Sequence, residues 1–398
     1  MTKKKYKYCI GWIFVLHVLL ISCSTNSKKA ENAAPGDTLQ TRFAQGFDLI
    51  RHGEMTEAVV YDPWHRGQVY KRYYLVRDTA TAVPADGIRI RIPLPSIAIN
   101  SATYIESLRL LGELSTVRGV CNADYIYSPQ IRKGVQEGRI ADLGDSFNLR
   151  IERLLSLSPA ALMTTAYNAE DENSRRLERC GIPLIYNIEW QESTPLGRAE
   201  WIRFIAAFYD KLPLADSLFG GISERYLALR DRVQTAVDKG MRRPTLLAGQ
   251  DFRGTWSMPA PGSFNAVLYQ DAGALYTPPT HTGTNGTGSG SEAGSGTTGS
   301  LQTTIEAALL KYADAEVWMG VQASTYEELQ NQNSRYALFA PFRLGEVYNF
   351  NGRTTPTGGS DYWESAVVHA DSLLADFVKV LHPSLLPAHR LLYIRALE

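Results

Sequence analysis

The sequence has few of the side chains on which most metal and catalytic sites depend. Among 398 residues there are four cysteines and seven histidines, and none of the cysteines has the spacing of a zinc site. No two histidines lie two or four positions apart, and no serine stands in a Gly-x-Ser-x-Gly turn. The sequence therefore predicts no catalytic residue, no site for a bare metal ion and no resident cofactor.

An excess of charge of one sign is also absent. The chain has 41 Lys plus Arg and 41 Asp plus Glu residues. Four of the lysines (Lys3, Lys4, Lys5 and Lys7) fall in a leader segment, so the rest of the chain has 37 basic and 41 acidic residues, a net charge of −4. Nucleic-acid-binding proteins usually present a basic surface, so we expect no nucleic-acid partner.

The apolar run over residues 10–21 is too short for a comfortable membrane span. It follows a basic segment and precedes Ser22-Cys23, the arrangement that a lipoprotein signal peptidase requires. We therefore expect a lipoprotein signal peptide over residues 1–22, a lipid on Cys23, and a tether over residues 23–40. The alternative is a plain secretory signal in which Cys23 is accidental.

Only two cysteines, Cys121 and Cys180, remain in the part of the chain that folds. In an oxidising compartment they form either a disulfide or two free buried thiols, because sequence spacing does not give the distance between them.

Residues 41–195 are predicted to form an α/β lobe that begins with a β-hairpin. Apolar and polar residues alternate over residues 47–76, interrupted by a wide turn at residues 62–67. From Ile97 onward short apolar strands alternate with helices, which indicates a mainly parallel sheet covered on both faces.

A helical segment, residues 196–240, is predicted to join this lobe to a second one. Its second helix restarts at Pro213, and at about 1.5 Å per residue it spans roughly 40 Å, the length of a strut between lobes. The residues predicted to form its apolar stripe are Leu214, Leu218, Ile222, Tyr226, Leu229, Val233 and Val237. The α/β pattern then resumes over residues 241–398 and ends in a helix over residues 363–381.

Residues 280–300 form a glycine-rich segment inside the second predicted lobe. Seven of these twenty-one residues are glycine and most others are serine or threonine, a composition that cannot bury a core. A phosphate-binding loop is excluded because no lysine follows in the required spacing. We expect a flexible surface loop.

Aromatic and arginine side chains follow several of the predicted strands. They occur in residues 122–127 and 166–168 of the first lobe, and in residues 251–256 and 351–353 of the second. Ligands of open α/β sheets bind at the carboxyl ends of the strands. Aromatic faces and planar guanidinium donors suit a large planar or chelated ligand. For any single ring the alternative is packing in the core.

Six motifs, in their order along the chain, carry a resemblance to a known family. They are Asp62-Pro-Trp64, Asn122-Ala-Asp-Tyr-Ile-Tyr127, Thr194-Pro-Leu-Gly-Arg-Ala-Glu-Trp201, Gly254-Thr-Trp256, Asp361-Tyr-Trp-Glu-Ser365 and Leu381-His-Pro-Ser-Leu-Leu386. In these motifs the chain resembles the class III, helical-backbone substrate-binding proteins of ABC importers for iron siderophores, haem or cobalamin, and most closely the lipoprotein branch found in Bacteroidetes. The resemblance implies two Rossmann-like α/β lobes joined by one long helix, an architecture shared with chelatases. It also implies a ligand held between the lobes and little hinge closure.

The resemblance further implies a function and a site. We expect a monomeric, non-catalytic carrier, held in the periplasm by its lipid, that hands an iron chelate (a siderophore or haem) to an ABC permease and its ATPase. Cobalamin is the alternative ligand. The ligand-binding candidates are Trp64, Arg66, Asn100, Ser101, Tyr125, Tyr127, Tyr167, Trp256, Arg353 and Trp363.

Two acidic residues are the candidates for docking on the permease. Glu172 and Glu328 each open a predicted helix, nine residues past Met163 and Met319 respectively. The alternative is that both are ordinary first-turn acids favoured by the helix dipole.

Two hypotheses from other classes remain. A chelatase has the same architecture and would need a histidine or carboxylate base in the cleft, where only His65 lies near the candidate residues. A structural or adhesive surface lipoprotein is the third hypothesis, and it gives two α/β lobes and an aromatic cleft no role.

Overall fold

The computed structural model describes residues 37–168, 172–278 and 299–398, and the side chains of residues 172–174 are not among what it describes. The predicted lipid site at Cys23 and most of the predicted glycine-rich loop lie outside these ranges.

A five-stranded sheet opens the described part of the chain. Its strands are β1 (Asp37–Thr38), β2 (Phe47–His52), β3 (Met55–Tyr61), β4 (Val69–Val76) and β5 (Ile88–Arg91), in that spatial order. The predicted wide turn lies between β3 and β4. The prediction of a single hairpin is wrong, because the chain also turns tightly between β2 and β3 at Gly53, whose φ of 60° suits a residue without a side chain.

The first lobe is built on a fully parallel sheet. Its strands and helices are β6 (Ile97–Ile99), α1 (Ile105–Leu110), β7 (Val117–Val120), α2 (Pro129–Gln136), β8 (Ala141–Asp142), α3 (Ile151–Leu157), β11 (Leu162–Thr164), α4 (Glu172–Glu178) and β12 (Leu184–Tyr186), with the short pair β9 (Gly144–Asp145) and β10 (Asn148–Leu149) after β8. The strand order is β12-β11-β6-β7-β8. Successive crossovers run to one side of β6 and then to the other, so the sheet has a topological switch point between β6 and β11.

Two helices connect the lobes along the chain, α5 (Pro195–Ala207) and α6 (Leu212–Asp238). With 27 residues α6 is about 40 Å long, which confirms the predicted long helix. It packs against α5 and against the last helix of the chain. The predicted apolar stripe is partly wrong, since Ala215 and Phe219 are buried whereas Leu214 is 42% exposed.

The second lobe contains a mixed sheet and a small antiparallel sheet. Its elements are β13 (Leu246–Ala248), β14 (Gln250–Phe252), β15 (Thr255–Pro259), α7 (Phe264–Asp271), β16 (Ser300–Thr303), α8 (Ile305–Tyr312), β17 (Val317–Val321), α9 (Tyr326–Gln332), α10 (Ala340–Leu344), β18 (Val347–Asn349), α11 (Ala370–Leu381) and β19 (Arg395–Ala396). The mixed sheet has the order β13-β17-β18-β19 and the small one β14-β15-β16. The predicted helix over residues 363–381 begins only at Ala370, because residues 361–363 and 365–367 form two separate 3₁₀ turns.

One apolar core extends from the first lobe through α5, α6 and α11 to the second. Strand β17 shows how the second sheet divides its faces. Val317 and Met319 belong to this shared core, whereas Trp318 and Val321 belong to a second cluster on the opposite face. A core shared by both lobes opposes hinge motion, because large separation of the lobes would expose apolar surface. Among the described residues no helix is both long enough and apolar enough to cross a membrane.

Candidate functional site

Two predicted binding residues lie at the switch point of the first lobe. Asn100 and Ser101 follow β6, and Ser101 caps the turn that leads into α1. The Asn100 Nδ2 donates to Thr164 Oγ1, at the end of β11, over 2.5 Å. This bond spans the gap between the strands where ligands of open sheets bind. The Asn100 Oδ1 is buried without a hydrogen-bond partner.

An exposed ladder of three aromatic rings stands beside this switch point. Tyr167 follows β11, Trp190 follows β12, and Phe147 lies in the turn between β9 and β10. The ring centroids of Phe147 and Tyr167 are 5.0 Å apart with planes inclined by 29°, and those of Tyr167 and Trp190 are 5.9 Å apart with planes inclined by 36°. Phe147 is 60% exposed and Tyr167 50% exposed. We call these three residues the aromatic ladder.

A hydrogen bond fixes one end of the aromatic ladder. The Trp190 Nε1 donates to Thr165 Oγ1 over 2.9 Å, so the polar edge of the indole points back to the sheet. The ladder therefore presents a row of apolar faces at the carboxyl edge of the first lobe, and an aromatic or conjugated ligand can stack on such faces.

A buried arginine links this edge to the second lobe. Arg198 lies on α5, and its Nη2 is 3.4 Å from the Oε1 of Glu189, the neighbour of Trp190. The Arg198 guanidinium carbon also lies 4.2 Å from the ring centroid of Phe264, which begins α7 of the second lobe. Burial raises the pKa of Glu189, and the nearby positive charge of Arg198 opposes the rise. These contacts connect the first lobe, α5 and the start of α7.

The second lobe contributes two exposed rings near the ends of its strands. Phe252 and Arg253 form the tip of the β14–β15 hairpin, where Phe252 is 68% exposed and the Arg253 guanidinium carbon lies 5.2 Å from its ring centroid. Arg253 has a φ of 53°, a conformation that costs free energy for a residue with a side chain. Trp363 is 54% exposed and contacts Tyr362 edge-on at 4.8 Å.

The lobes also enclose a polar cavity of about 260 Å³. Its charged lining residues are Glu106, Arg109, Arg353, Asp361, Glu364 and His369. The two arginines are each paired with an acid, Arg109 with Glu106 and Arg353 with Asp361.

Five of the predicted binding residues lie beyond strand ends or on the surface of a lobe. Tyr167 belongs to the aromatic ladder, Asn100 and Ser101 lie at the switch point, Tyr125 is 64% exposed after β7, and Trp363 is exposed on the second lobe. The binding role of all of them stays a prediction.

Other predicted residues lie elsewhere, and one prediction is wrong. Trp256 is fully buried, stacked on Trp318 at 5.6 Å, with its Nε1 donating to the Ala248 carbonyl. It lies in the core and cannot contact a ligand. Trp64 is half-buried in the β3–β4 turn with its ring 5.8 Å from that of Tyr70, and the exposed Arg66 lies in the same turn.

Tyr127 and Arg353 face each other across the lobes instead of pointing to the aromatic ladder. The Arg353 guanidinium carbon lies 5.8 Å from the Tyr127 ring and its charge is paired with Asp361. Both residues line the polar cavity. A ligand at the ladder would not meet a free guanidinium at Arg353.

Several residues of the site were missed by the sequence analysis. Trp190 follows β12, one of the apolar strands that alternate with helices, so the rule that selected Tyr167 would have found it. Phe147 lies in a turn that follows no predicted strand. Glu106 and His369 are far apart in the sequence and come together only in the folded chain. Nothing in their local sequence marks these last three residues.

The remaining predictions concern thiols, metals and docking. Cys121 and Cys180 are both free; Cys121 is buried, which raises its pKa to about 12, whereas Cys180 is half-buried. Across the described ranges no group of three or more His, Cys, Asp or Glu residues is arranged to hold a metal ion. Glu328 is exposed in the first turn of α9, and Glu172 begins α4.

Comparison with known proteins gives distant relatives. No family model matches the chain. Two uncharacterized lipoproteins of Methanocaldococcus jannaschii are similar to it. One is 23% identical over 306 residues, which cover 74% of this chain and 66% of the relative. The other is 24% identical over 371 residues, which cover 91% of this chain and 87% of the relative. The chain thus spans just under two thirds of the first relative and most of the second.

Solved structures of several bacterial proteins have a similar architecture. Helicobacter pylori Ceue with Ni(II) bound matches with a TM-score of 0.53 and 16% identity, over 76% of this chain and 88% of that one. A periplasmic heme binding protein from Pseudomonas aeruginosa matches with a TM-score of 0.54 and 17% identity, over 73% and 94%. The periplasmic vitamin B12 binding protein of Vibrio cholerae matches with a TM-score of 0.51 and 13% identity, over 74% and 99%.

The chain has the fold of a two-lobed periplasmic binding protein. This confirms the predicted fold class of two α/β lobes joined by a long helix. The likeness establishes the fold and leaves the ligand open. The lipoprotein relatives are archaeal, and the Bacteroidetes branch stays a prediction.

Proposed function

We propose that this chain is the solute-binding lipoprotein of an ABC importer and that it carries an iron chelate, a siderophore or haem, to the permease. The observation that carries the proposal is the aromatic ladder. Three adjoining rings, two of them at least half exposed, stand at the carboxyl edge of the first lobe in a two-lobed binding-protein fold. Burial of exposed rings of this kind against a ligand removes apolar surface from water, which is favourable.

Cobalamin is the second candidate ligand. A corrin ring, like a porphyrin, offers a broad conjugated face to the aromatic ladder. Among the solved structures with this fold, one is a heme binding protein and one a vitamin B12 binding protein. The ladder alone does not discriminate between the two macrocycles.

The proposal includes a membrane anchor and a partner. A lipid on Cys23 would hold the protein at the membrane, and the relatives that are named lipoproteins support this. Docking on the permease would use acids near the starts of corresponding helices, Glu172 on α4 and Glu328 on α9. The carrier would act as a monomer without catalysis.

The test is a spectrum of the protein purified without refolding, followed by titration. Absorbance and native mass spectra identify a co-purified chelate by its chromophore and mass. Hemin, a ferric siderophore and cyanocobalamin are then added separately while tryptophan fluorescence is followed. We expect one of them to bind with a Kd of about 1 μM or tighter.

Two outcomes would contradict the proposal. No saturable binding of any of the three compounds would remove the carrier function. Incorporation of Fe²⁺ into an added metal-free porphyrin, with turnover, would identify a chelatase instead.

A further inference from the structure

The two lobes touch through ionisable side chains at the polar cavity. From the first lobe come Glu106 on α1 and Tyr127 just before α2, and from the second come Glu364 and His369 between β18 and α11. The Glu364 Oε2 accepts a hydrogen bond from the Tyr127 N–H over 2.8 Å. The Glu106 Oε1 lies 2.6 Å from His369 Nε2. We call these four residues the latch.

Among the residues that the structure describes, none provides a cationic partner for Glu364 of the latch. The positive groups that line the cavity engage other acids. Arg109 contacts Glu106 with its Nε at 2.7 Å, and Arg353 pairs with Asp361. His369 contacts Glu106. The other titratable side chains here are Tyr127 and Tyr393, whose rings lie against the Arg353 guanidinium. An ionised Glu364 would therefore be a buried negative charge held only by backbone donors.

The surroundings of Glu364 make its ionisation costly. Burial is the largest cause and raises the pKa of Glu364 to about 7, while hydrogen bonds from the Tyr127 and Ser128 N–H groups oppose the rise. The negative charges of Asp361 and Glu106 add to it. If the lobes part at this contact, water reaches the carboxyl group and its pKa returns toward the ordinary value of 4.5.

We propose that the latch is proton-sensitive: a protonated Glu364 favours the contact between the lobes, an ionised Glu364 loosens it, and the Glu106–His369 pair acts as a brace. Because the carboxyl pKa is higher in the closed contact, closing takes up a proton. The contact is therefore fully favoured below the ordinary pKa and loses this contribution as pH rises through about 7.

The pKa shift of Glu106 in the brace has the opposite direction to that of Glu364. Burial acts to raise the pKa of Glu106, but hydrogen bonds from Arg109 and His369 hold it below its ordinary value. The Glu106 charge that attracts His369 is thus kept as pH falls toward the ordinary carboxyl range and is lost only below it. Together, Glu364 and the Glu106–His369 pair make the contact between the lobes strongest in mildly acidic solution.

Amide hydrogen exchange of the full chain tests the latch without any ligand. Exchange at the Tyr127 and Ser128 amides is measured at roughly pH 6 and roughly pH 8.5 and corrected for the intrinsic rate at each pH. The Glu364 pKa is about 7 in the closed contact and 4.5 in the open one. Linkage then predicts that the equilibrium constant for opening, after correction for intrinsic exchange, is about tenfold larger at the higher pH.

Matched variants assign the effect to Glu364. Glu364→Gln keeps the size and an acceptor oxygen but cannot ionise, so its corrected exchange should be the same at both pH values. Glu327→Gln, which removes an exposed acid on α9, should behave like the unchanged protein. His369→Gln weakens only the brace and should raise exchange at both pH values.

The proposal is overturned if the unchanged protein shows no rise in exchange with pH, or if the rise persists in Glu364→Gln. The first criterion holds even if that variant does not fold. The value of the latch for retaining a ligand rests on the proposed function, but the exchange measurement does not. A protein that binds none of the three test compounds can still pass it, and a ligand-binding protein can fail it.

Discussion

Each lobe contains a cluster of aromatic rings, and the two clusters have opposite surroundings. In the first lobe the rings of Phe147 and Tyr167 are at least half exposed. In the second, Trp256 and Trp318 are fully buried and stacked at 5.6 Å. Similar ring geometry thus produces a surface in one lobe and a core in the other, so ring contacts by themselves do not identify a binding site.

The difference comes from what carries each ring. The rings of the aromatic ladder stand on turns and loops beyond the ends of strands, where Phe147 and Tyr167 are at least half exposed. Trp256 belongs to β15, a strand of the small antiparallel sheet, and points inward together with Met258. Several residues separate Trp256 from the end of β13. They are enough for the chain to form the β14–β15 hairpin, which turns Trp256 back into the core.

The same distinction explains how much of the fold the sequence could predict. Alternating strands and helices, the long α6 and the start of α9 at Tyr326 follow from local patterns, and the structure has them. The β14–β15–β16 sheet was missed because its third strand, β16, comes after the glycine-rich segment. Pairing of Ser300 with Pro259 is a long-range contact that no local periodicity encodes.

The candidate site divides in the same way. The rule that ligands bind at strand ends selected Tyr167, which follows β11 beside the switch point, and it would have selected Trp190. The strand-end rule failed for Trp256, which lies on β15 beyond the β14–β15 turn. The latch could not be predicted because Glu106 and His369 are separated by most of the chain and meet only through the packing of the two lobes.

The largest effect should come from the buried ring of the second lobe. Trp256→Ala removes a fully buried indole and its hydrogen bond to Ala248, so we expect the free energy of unfolding to fall by about 3 to 5 kcal/mol. Urea denaturation measures this, and chelate affinity of the remaining folded protein should not change. A loss of affinity with unchanged stability would show that Trp256 reaches the cleft after all.

Two segments held by a buried carboxylate, residues 42–44 and residues 392–394, offer a second comparison with a smaller expected effect. Asp376 is fully buried in α11 and accepts N–H bonds from Leu392, Tyr393 and Ile394. Glu200 in α5 does the same for Phe43 and the residues on either side of it.

Replacing either acid with its amide puts an NH₂ group against backbone donors. We expect Asp376→Asn and Glu200→Gln each to lower the free energy of unfolding by about 2 to 3 kcal/mol, since hydrogen bonds to a charged group are lost. Thermal or urea unfolding provides the comparison. A clear effect in one variant and none in the other would show that only one of the two segments is fastened by its carboxylate.

A smaller effect is expected from the exposed rings, and on affinity instead of stability. Tyr167→Ala removes the middle ring of the aromatic ladder, so affinity for the bound chelate should fall about tenfold, the equivalent of about 1.4 kcal/mol. Trp363→Ala removes a ring that meets its neighbour edge-on, and we expect a loss of only a few-fold. Both variants should unfold within about 1 kcal/mol of the unchanged protein. Equal losses from the two variants would mean that the ligand stacks on both lobes.

The smallest effect on stability should come from Glu328, where the docking role and an ordinary helix role can be separated. The Glu328 Oε2 accepts the Ser324 N–H over 2.8 Å, and Thr325 Oγ1 accepts the Glu328 N–H over 3.1 Å. The Thr325 bond is the N-cap half of a capping box, whereas the Glu328 side chain accepts from Ser324, one residue before the N-cap. Glutamine can make the same bonds as glutamate, so Glu328→Gln removes the charge and keeps the cap.

We therefore expect Glu328→Gln to change the free energy of unfolding by less than about 0.5 kcal/mol, whereas Thr325→Ala should cost about 1 kcal/mol because the cap is lost. Uptake of the identified chelate by cells then tests the charge alone. If Glu328 docks on the permease, Glu328→Gln lowers uptake with unchanged chelate affinity, and adding Glu172→Gln lowers it further. Normal uptake by the double variant would leave Glu328 with its capping role, because a residue that only fastens the first turn of α9 has no need of its charge.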